Sequence, residues 1–311
     1  MQRPIGARSL GLAGAYTAIA NEPSGLFANP ASTAWLPVRP AFGVSLSVLG
    51  LGRTHSSFAY AQSVGWNFAI GAAIHSFSAG NFVARTSRGT SLGTYTPQNI
   101  TLSLGSAFRW EFFSVGLTGK YLWSGLAGSG LSGQGVAADL GALFRAAELF
   151  SIGATVQNLG GFLSWGERRE GIPATFTLGI ATEIGIAPPL RRERIPATGE
   201  ERTTWLPSPQ YVLLSTEVRY TQGLARPTVL LAAEIAPLGG IALRGGTTLF
   251  GDELGQARWF TLQRLGGGLA VQLPHTLQLP IYLQADYAIS YEYSSPTRLA
   301  HTVSLTAQLA P

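Results

Sequence analysis

The chain has no cysteine. That absence removes disulfide frameworks, thiolate metal sites and cysteine nucleophiles together. Charge is also scarce, with 12% of the 311 residues being Asp, Glu, Lys or Arg, about half the share usual in soluble domains. Lys120 is the only lysine, so the formal charge of +5 rests on arginine. No run of roughly 18 apolar residues exists, because Gly, Ser, Thr, Gln or Arg interrupts every apolar stretch, and this excludes membrane-crossing helices. The arginines are scattered or held in short clusters such as Arg168-Arg169 and Arg191-Arg192-Glu193-Arg194, with no aromatic-interleaved basic stripe. Nucleic acid is not an expected partner. The opening Met1-Gln2-Arg3-Pro4 shows no export leader, and a mature or trimmed chain is expected.

What is present is apolar character without apolar runs. Hydrophobic residues make up 46% of the chain, and the mean hydropathy is positive. A tilted barrel strand crosses a membrane in about 9 to 11 residues, half of them facing the lumen, so it needs no long apolar run. After residue 40 the sequence alternates with the period of two that puts successive side chains on opposite strand faces. Leu102, Leu104 and Phe108 alternate with Thr101, Ser103 and Ala107, and Ile281, Tyr287 and Ile289 with Asp286, Ala288 and Ser290. About 14 strands are predicted, near 41–50, 55–63, 66–79, 98–109, 112–124, 134–146, 149–158, 173–185, 208–221, 227–236, 239–248, 259–273, 277–293 and 298–309.

Connection lengths alternate too, as expected of short periplasmic turns and longer extracellular loops. Those at 64–65, 110–111, 147–148, 237–238 and 274–276 are tight, and those at 80–97, 125–133, 159–172 and 249–258 are long. Residues 186–207, rich in Pro and Arg, break the rule on the expected periplasmic side; a hairpin, a disordered insertion and a docking loop are all open readings. An Arg or Lys facing lipid at the midplane costs about 2 to 4 kcal/mol, so charge is expected on the lumen face. Lys120, Asp139, Arg145, Glu217, Arg219, Asp286 and Glu292 all fall on the polar side of their strands, and Trp123, Tyr220, Tyr291 and Tyr293 fall near predicted strand ends. The fold class is therefore an all-β transmembrane antiparallel barrel in contact with outer-membrane lipid; a soluble β module would have to explain the charge sorting without a bilayer.

Residues 5–36 do not alternate and are dominated by small residues, with turns marked by Asn21, Pro23 and Gly25 and by Asn29-Pro30. A short helical hatch packed inside the lumen is expected, dividing the chain into a hatch at 1–40 and a barrel at 41–311. Gly6-Ala7-Arg8, Leu10-Gly11, Gly14-Ala15, Thr17-Ala18-Ile19-Ala20 and Asn29-Pro30-Ala31 resemble the start of the FadL-like outer-membrane barrels, most closely the PorV/PorQ branch. Weaker echoes are Val156-Gln157-Asn158-Leu159-Gly160 and Leu243-Arg244-Gly245-Gly246. The 186–207 insertion and the ending Leu309-Ala310-Pro311 depart from the pattern.

The resemblance implies a 14-stranded barrel with an N-terminal hatch. The PorV/PorQ branch implies a membrane anchor or accessory for type IX-like secretion or surface cargo, with Leu159 to Glu170 a candidate contact region for a protein partner. The FadL-like alternative is passive transport of a hydrophobic small molecule, with a gate at Phe27, Asn29 and Pro30. No enzyme activity, cofactor or metal is expected. Gly128 to Gly133 matches G-x-G-x-x-G but leads into strand-like alternation instead of the helix a dinucleotide requires, and His55, His75, His275 and His301 are scattered without ligand spacing.

Overall fold

The computed structural model describes the chain apart from residues 1–2, 20–21, 37–38, 65–66, 147–148, 187–189, 195–200, 206–209, 239, 250–261, 273–280, 294–297 and 310–311. Asn21, the Ala310-Pro311 ending, His275, the tight connections at 147–148 and 274–276, most of the 249–258 loop and much of the 186–207 insertion lie outside the described residues. A helix α1 (Ala7–Gly11) and two 3-10 turns (Pro23–Phe27 and Pro30–Trp35) come first. The strands follow as β1 (Ala41–Val48), β2 (Thr54–Val64), β3 (Phe68–Ser78), β4 (Phe82–Arg85), β5 (Ser91–Trp110), β6 (Phe113–Ala127), β7 (Leu131–Ala146), β8 (Phe150–Trp165) and β9 (Arg168–Gly171). Next are β10 (Thr175–Gly185), β11 (Leu190–Arg194), β12 (Glu201–Trp205), β13 (Tyr211–Thr221), β14 (Thr228–Leu238), β15 (Ile241–Leu249), β16 (Leu262–Gln272), β17 (Ile281–Glu292) and β18 (Leu299–Leu309).

Fourteen of these form a closed antiparallel ring: β1, β2, β3, β5, β6, β7, β8, β10 and β13 to β18, with β18 returning to β1 and β8 pairing with β10. Closure satisfies every ladder within the wall, the condition for a sheet to sit in hydrocarbon. The alternation read from sequence becomes the two faces of the wall. On β5, Leu104 is 71% exposed on the outside while its neighbour Ser103 is 4% exposed on the inside. On β17, Tyr287 and Ile289 face out, and Asp286, Ala288 and Ser290 are buried.

Three expectations need correction. The connections at 80–97, 125–133 and 159–172 are largely strand: β5 runs for 20 residues, β6 for 15 and β8 for 16, and β4 and β9 fold back on β5 and β8. Beyond the bilayer both faces meet water, so backbone pairing continues after the hydropathy alternation has stopped. Trp123 accordingly lies inside β6, four residues short of its end at Ala127. The stretch from Leu159 to Glu170 is the paired end of β8 together with β9, not a free loop. Within the 186–207 insertion, β11 pairs with β12 as a two-stranded hairpin, and by strand parity it leaves the end of the barrel that carries the tight turns.

The N-terminal segment crosses the interior. Helix α1 packs on β15 to β18, and the second 3-10 turn packs on β5, β6 and β7. Leu10, Leu12, Tyr16 and Leu26 are fully buried there, each Leu contributing about 1.5 to 3 kcal/mol relative to exposure. Glycines on the inner wall permit the approach. A Cβ on Gly116 would stand 2.5 Å from the Ala31 nitrogen, and one on Gly266 would stand 2.4 Å from the Leu10 carbonyl oxygen, contacts that only a residue without a side chain avoids.

Candidate functional site

One wall of the lumen holds the N-terminal segment by buried charge. Arg8 grips Glu234 on β14 with two nitrogens, Nη2 at 2.6 Å from Oε1 and Nε at 2.9 Å from Oε2, and places Nη1 3.0 Å from Glu22 Oε1. Glu234 also accepts from Tyr211 Oη at 2.5 Å and from Arg244 on β15, which in turn pairs with Asp286 on β17. Gln284 Nε2 donates to Asp286 at 3.0 Å. Low dielectric makes this fully engaged network stiff, and losing one member would strand a buried charge. A second attachment is Glu217 on β13, which accepts from the Thr17 backbone N–H and, at 3.3 Å, from Arg219 Nη2.

The opposite attachment lies at the tight-turn end. Trp35 donates from Nε1 to Ser114 Oγ at 2.9 Å, and Ser114 Oγ donates to the Ala31 carbonyl at 2.9 Å. The Arg109 guanidinium sits 4.6 Å from the Trp35 ring and that of Arg145 5.7 Å from it, close enough for cation–π attraction.

Between the segment and the loop end of the barrel lies a cavity of about 520 Å³. Leu26, Phe27, Phe77, Leu122 and Ile172 supply its apolar lining, and the Phe27 ring meets His75 edge-on at 5.7 Å. Arg3, Arg264, Glu292, Lys120 and Asp139 supply charge. The size is that of a small-ligand pocket, for which about 300 to 1,000 Å³ is typical.

The residues singled out from sequence occupy distinct places. Lys120 Nζ lies 2.7 Å from Asp139 Oδ1 and 2.7 Å from Asn158 Oδ1, and Asp139 accepts the Asn158 backbone N–H at 2.8 Å. Asn158 has φ 60, beside a register shift between β7 and β8, so the carboxylate takes a donor that the ladder leaves out. Glu217 with Arg219 and Asp286 with Arg244 sit against the N-terminal segment, Glu292 is at the cavity, and Arg145 is under Trp35. Phe27 lines the cavity, and its carbonyl accepts from Gln157 Nε2 at 2.8 Å. Asn29 does not line the cavity: it is fully buried, caps the second 3-10 turn by accepting from Ala31 N at 3.1 Å, and donates to the Thr17 carbonyl at 2.8 Å. Pro30 opens that turn against Gly141.

Sequence reading missed Glu234, Arg244, Arg264 and the partners of Arg3, Arg8 and Glu22. The signal for Glu234 was masked, because β14 reads Val229-Leu230-Leu231-Ala232-Ala233 before it, apolar on both faces. Arg244 was legible, since Ile241 and Leu243 alternate with Ala242 and Arg244.

No protein-family model and no curated protein matches the chain. Among solved structures the fold is similar to the Ralstonia pickettii toluene transporter TbuX, at TM-score 0.60 and 16% identity over 98% of each chain. It is also similar to the Pseudomonas putida toluene transporter TodX, at TM-score 0.59 and 12% identity over 99% of this chain and 97% of that one. A Pseudomonas aeruginosa FadL homologue aligns at TM-score 0.59 and 12% identity over 99% of both chains. The likeness establishes a FadL-like outer-membrane-type barrel fold and lends nothing to the PorV/PorQ branch.

Proposed function

We propose that the chain is a passive outer-membrane conduit for hydrophobic small molecules, in which the N-terminal segment acts as the hatch and its stretch from Leu26 to Pro30 as the gate. The observation that carries this reading is the cavity of about 520 Å³ whose floor is Leu26 and Phe27. A compound entering from the loop end comes to rest on residues of the segment itself, so onward movement requires that stretch to yield. The fold shared with toluene transporters supports the conduit over a secretion anchor. The outer membrane is then the place of action, with lipid against the exposed apolar wall. The test is uptake of a radiolabelled monoaromatic hydrocarbon into lipopolysaccharide-bearing vesicles with and without the protein. Faster uptake with protein is expected, and rates equal to protein-free vesicles overturn the proposal.

The N-terminal motifs support a second reading, a PorV/PorQ-like anchor for a secretion or surface partner, with the β11–β12 hairpin as a further element at the tight-turn end. A specific protein recovered with the barrel in mild detergent, and lost on deleting that hairpin, is the result it requires.

A further inference from the structure

Two histidines without ligand spacing in the sequence meet on the inner wall of the barrel. In the ladder between β2 and β3, His55 lies opposite Phe77 and Ser57 opposite His75, so the two imidazoles are diagonal neighbours on one face, within reach of each other. Their ring centres stand 5.6 Å apart with the planes at 85°. Both line the cavity. His55 is 7% exposed, and its ring touches His75 and, at 6.5 Å, Phe77. His75 Nδ1 is buried with no hydrogen-bond partner among the described residues. A buried imidazole nitrogen left without a partner carries a desolvation cost that a donor or a metal ion would remove.

The spacing suits a metal ion. With metal–nitrogen bonds of about 2.0 to 2.1 Å, two imidazoles on one ion have their ring centres roughly 5 to 6 Å apart at open bond angles. The cavity of about 520 Å³ has room for the ion and for water in its remaining positions. The surroundings decide which ion. Arg3 acts through space on His55 and Lys120 on His75; each cation is paired, Arg3 Nη1 2.9 Å from Glu292 Oε1 and Lys120 Nζ 2.7 Å from Asp139 Oδ1. Neither carboxylate is free to serve a hard, oxygen-seeking cation, so calcium and magnesium find no ligands here. An ion held by strong bonds to imidazole nitrogen is favoured, and among divalent first-row metals that bond is strongest for copper.

We infer that His55 and His75 form a two-imidazole site for a transition-metal ion, Cu(II) foremost, on the cavity wall beside Phe27. The fold supplies by diagonal pairing what the sequence spacing lacks. Because the Phe27 ring leans on His75 at 5.7 Å, an ion bound there sits against the N-terminal segment as well as the wall.

The test is titration of the untagged full chain in detergent with Cu(II), with pulsed electron paramagnetic resonance counting the imidazoles on the ion. One Cu(II) per chain carrying two imidazoles is expected. His55→Gln and His75→Gln are each expected to weaken binding about tenfold or more and to leave one imidazole in the signal. His301→Gln, at an exposed ring bonded to Tyr287 Oη at 2.7 Å, is expected to change neither. Fewer than two imidazoles on the ion in the unaltered chain overturns the site, and so does a His55→Gln/His75→Gln protein that binds copper as the original does. The imidazole count needs no variant, and heat-modifiable gel mobility separates loss of copper from loss of fold. Binding is read without transport, so the site and the conduit fail independently.

Discussion

Arg8 and Glu234 lie 226 residues apart in the chain and meet through two hydrogen bonds, the shorter 2.6 Å. The pair fastens the N-terminal segment to the barrel wall at a point where neither charge reaches water, Arg8 being 5% exposed and Glu234 0%. Arg8→Met is therefore expected to cost about 3 to 5 kcal/mol, since it leaves Glu22 and Glu234 facing one another with a single guanidinium, Arg244, on the Glu234 side. Arg8→Lys keeps the charge but loses the fork and should recover only part of that loss. Thermal unfolding in detergent, with limited proteolysis of the N-terminal segment, checks both; an R8M protein as stable and as protected as the original would show the pair to be dispensable.

The segment's path also depends on where the wall has no side chains. Gly116→Ala puts a methyl against the Ala31 backbone and is expected to destabilise by about 1 to 3 kcal/mol. On the same strand, a Cβ at Gly119 meets nothing within 4 Å, so Gly119→Ala should stay within about 0.5 kcal/mol. Equal midpoints for the two variants in denaturant would contradict the packing described.

Lipid should punish charge according to depth. Leu104 and Leu92 both belong to β5 and are 71% and 58% exposed, but Leu92 lies at the end of the 20-residue strand that pairs with β4 instead of with the barrel wall, outside the roughly 9 to 11 residues a tilted strand needs to cross a membrane. Leu104→Arg is expected to cost about 2 to 4 kcal/mol and Leu92→Arg about 0 to 1. Folding into liposomes measures the difference, and indistinguishable costs would remove the bilayer from around Leu104.

Gating by the segment predicts that restraining it stops transport. The chain contains no cysteine, so Phe27→Cys with His75→Cys, whose native rings stand 5.7 Å apart, can be joined by a short bis-maleimide without side reactions. Uptake is expected to fall to the protein-free rate on cross-linking and to persist in the unlinked double variant. Full uptake by the cross-linked protein would mean that the route does not pass Phe27.

Much of the wall was legible because each strand answers to its surroundings residue by residue. Leu102, Leu104 and Phe108 face lipid and Thr101, Ser103 and Ala107 do not, a local rule with a local signature. Strand ends were less legible for the same reason. Once β5, β6 and β8 rise above the bilayer, nothing selects one face over the other, and pairing continues without a pattern. The site was legible only in part: Lys120, Asp139, Glu217 and Asp286 could be assigned a face, but no period in the sequence joins Lys120 to Asp139 or Asp286 to Arg244.

By itself the amino-acid sequence determined a closed barrel of about fourteen strands with charge turned inward, because the cost of exposing charge or an unpaired backbone to lipid is imposed at every position. Which of the inward charges meet follows from the folded ring and not from any local pattern. Arg8 finds Glu234, and Arg3 finds Glu292, through the closing of the ring and the route of one segment across its interior, and interactions between residues so distant in the chain leave no local trace.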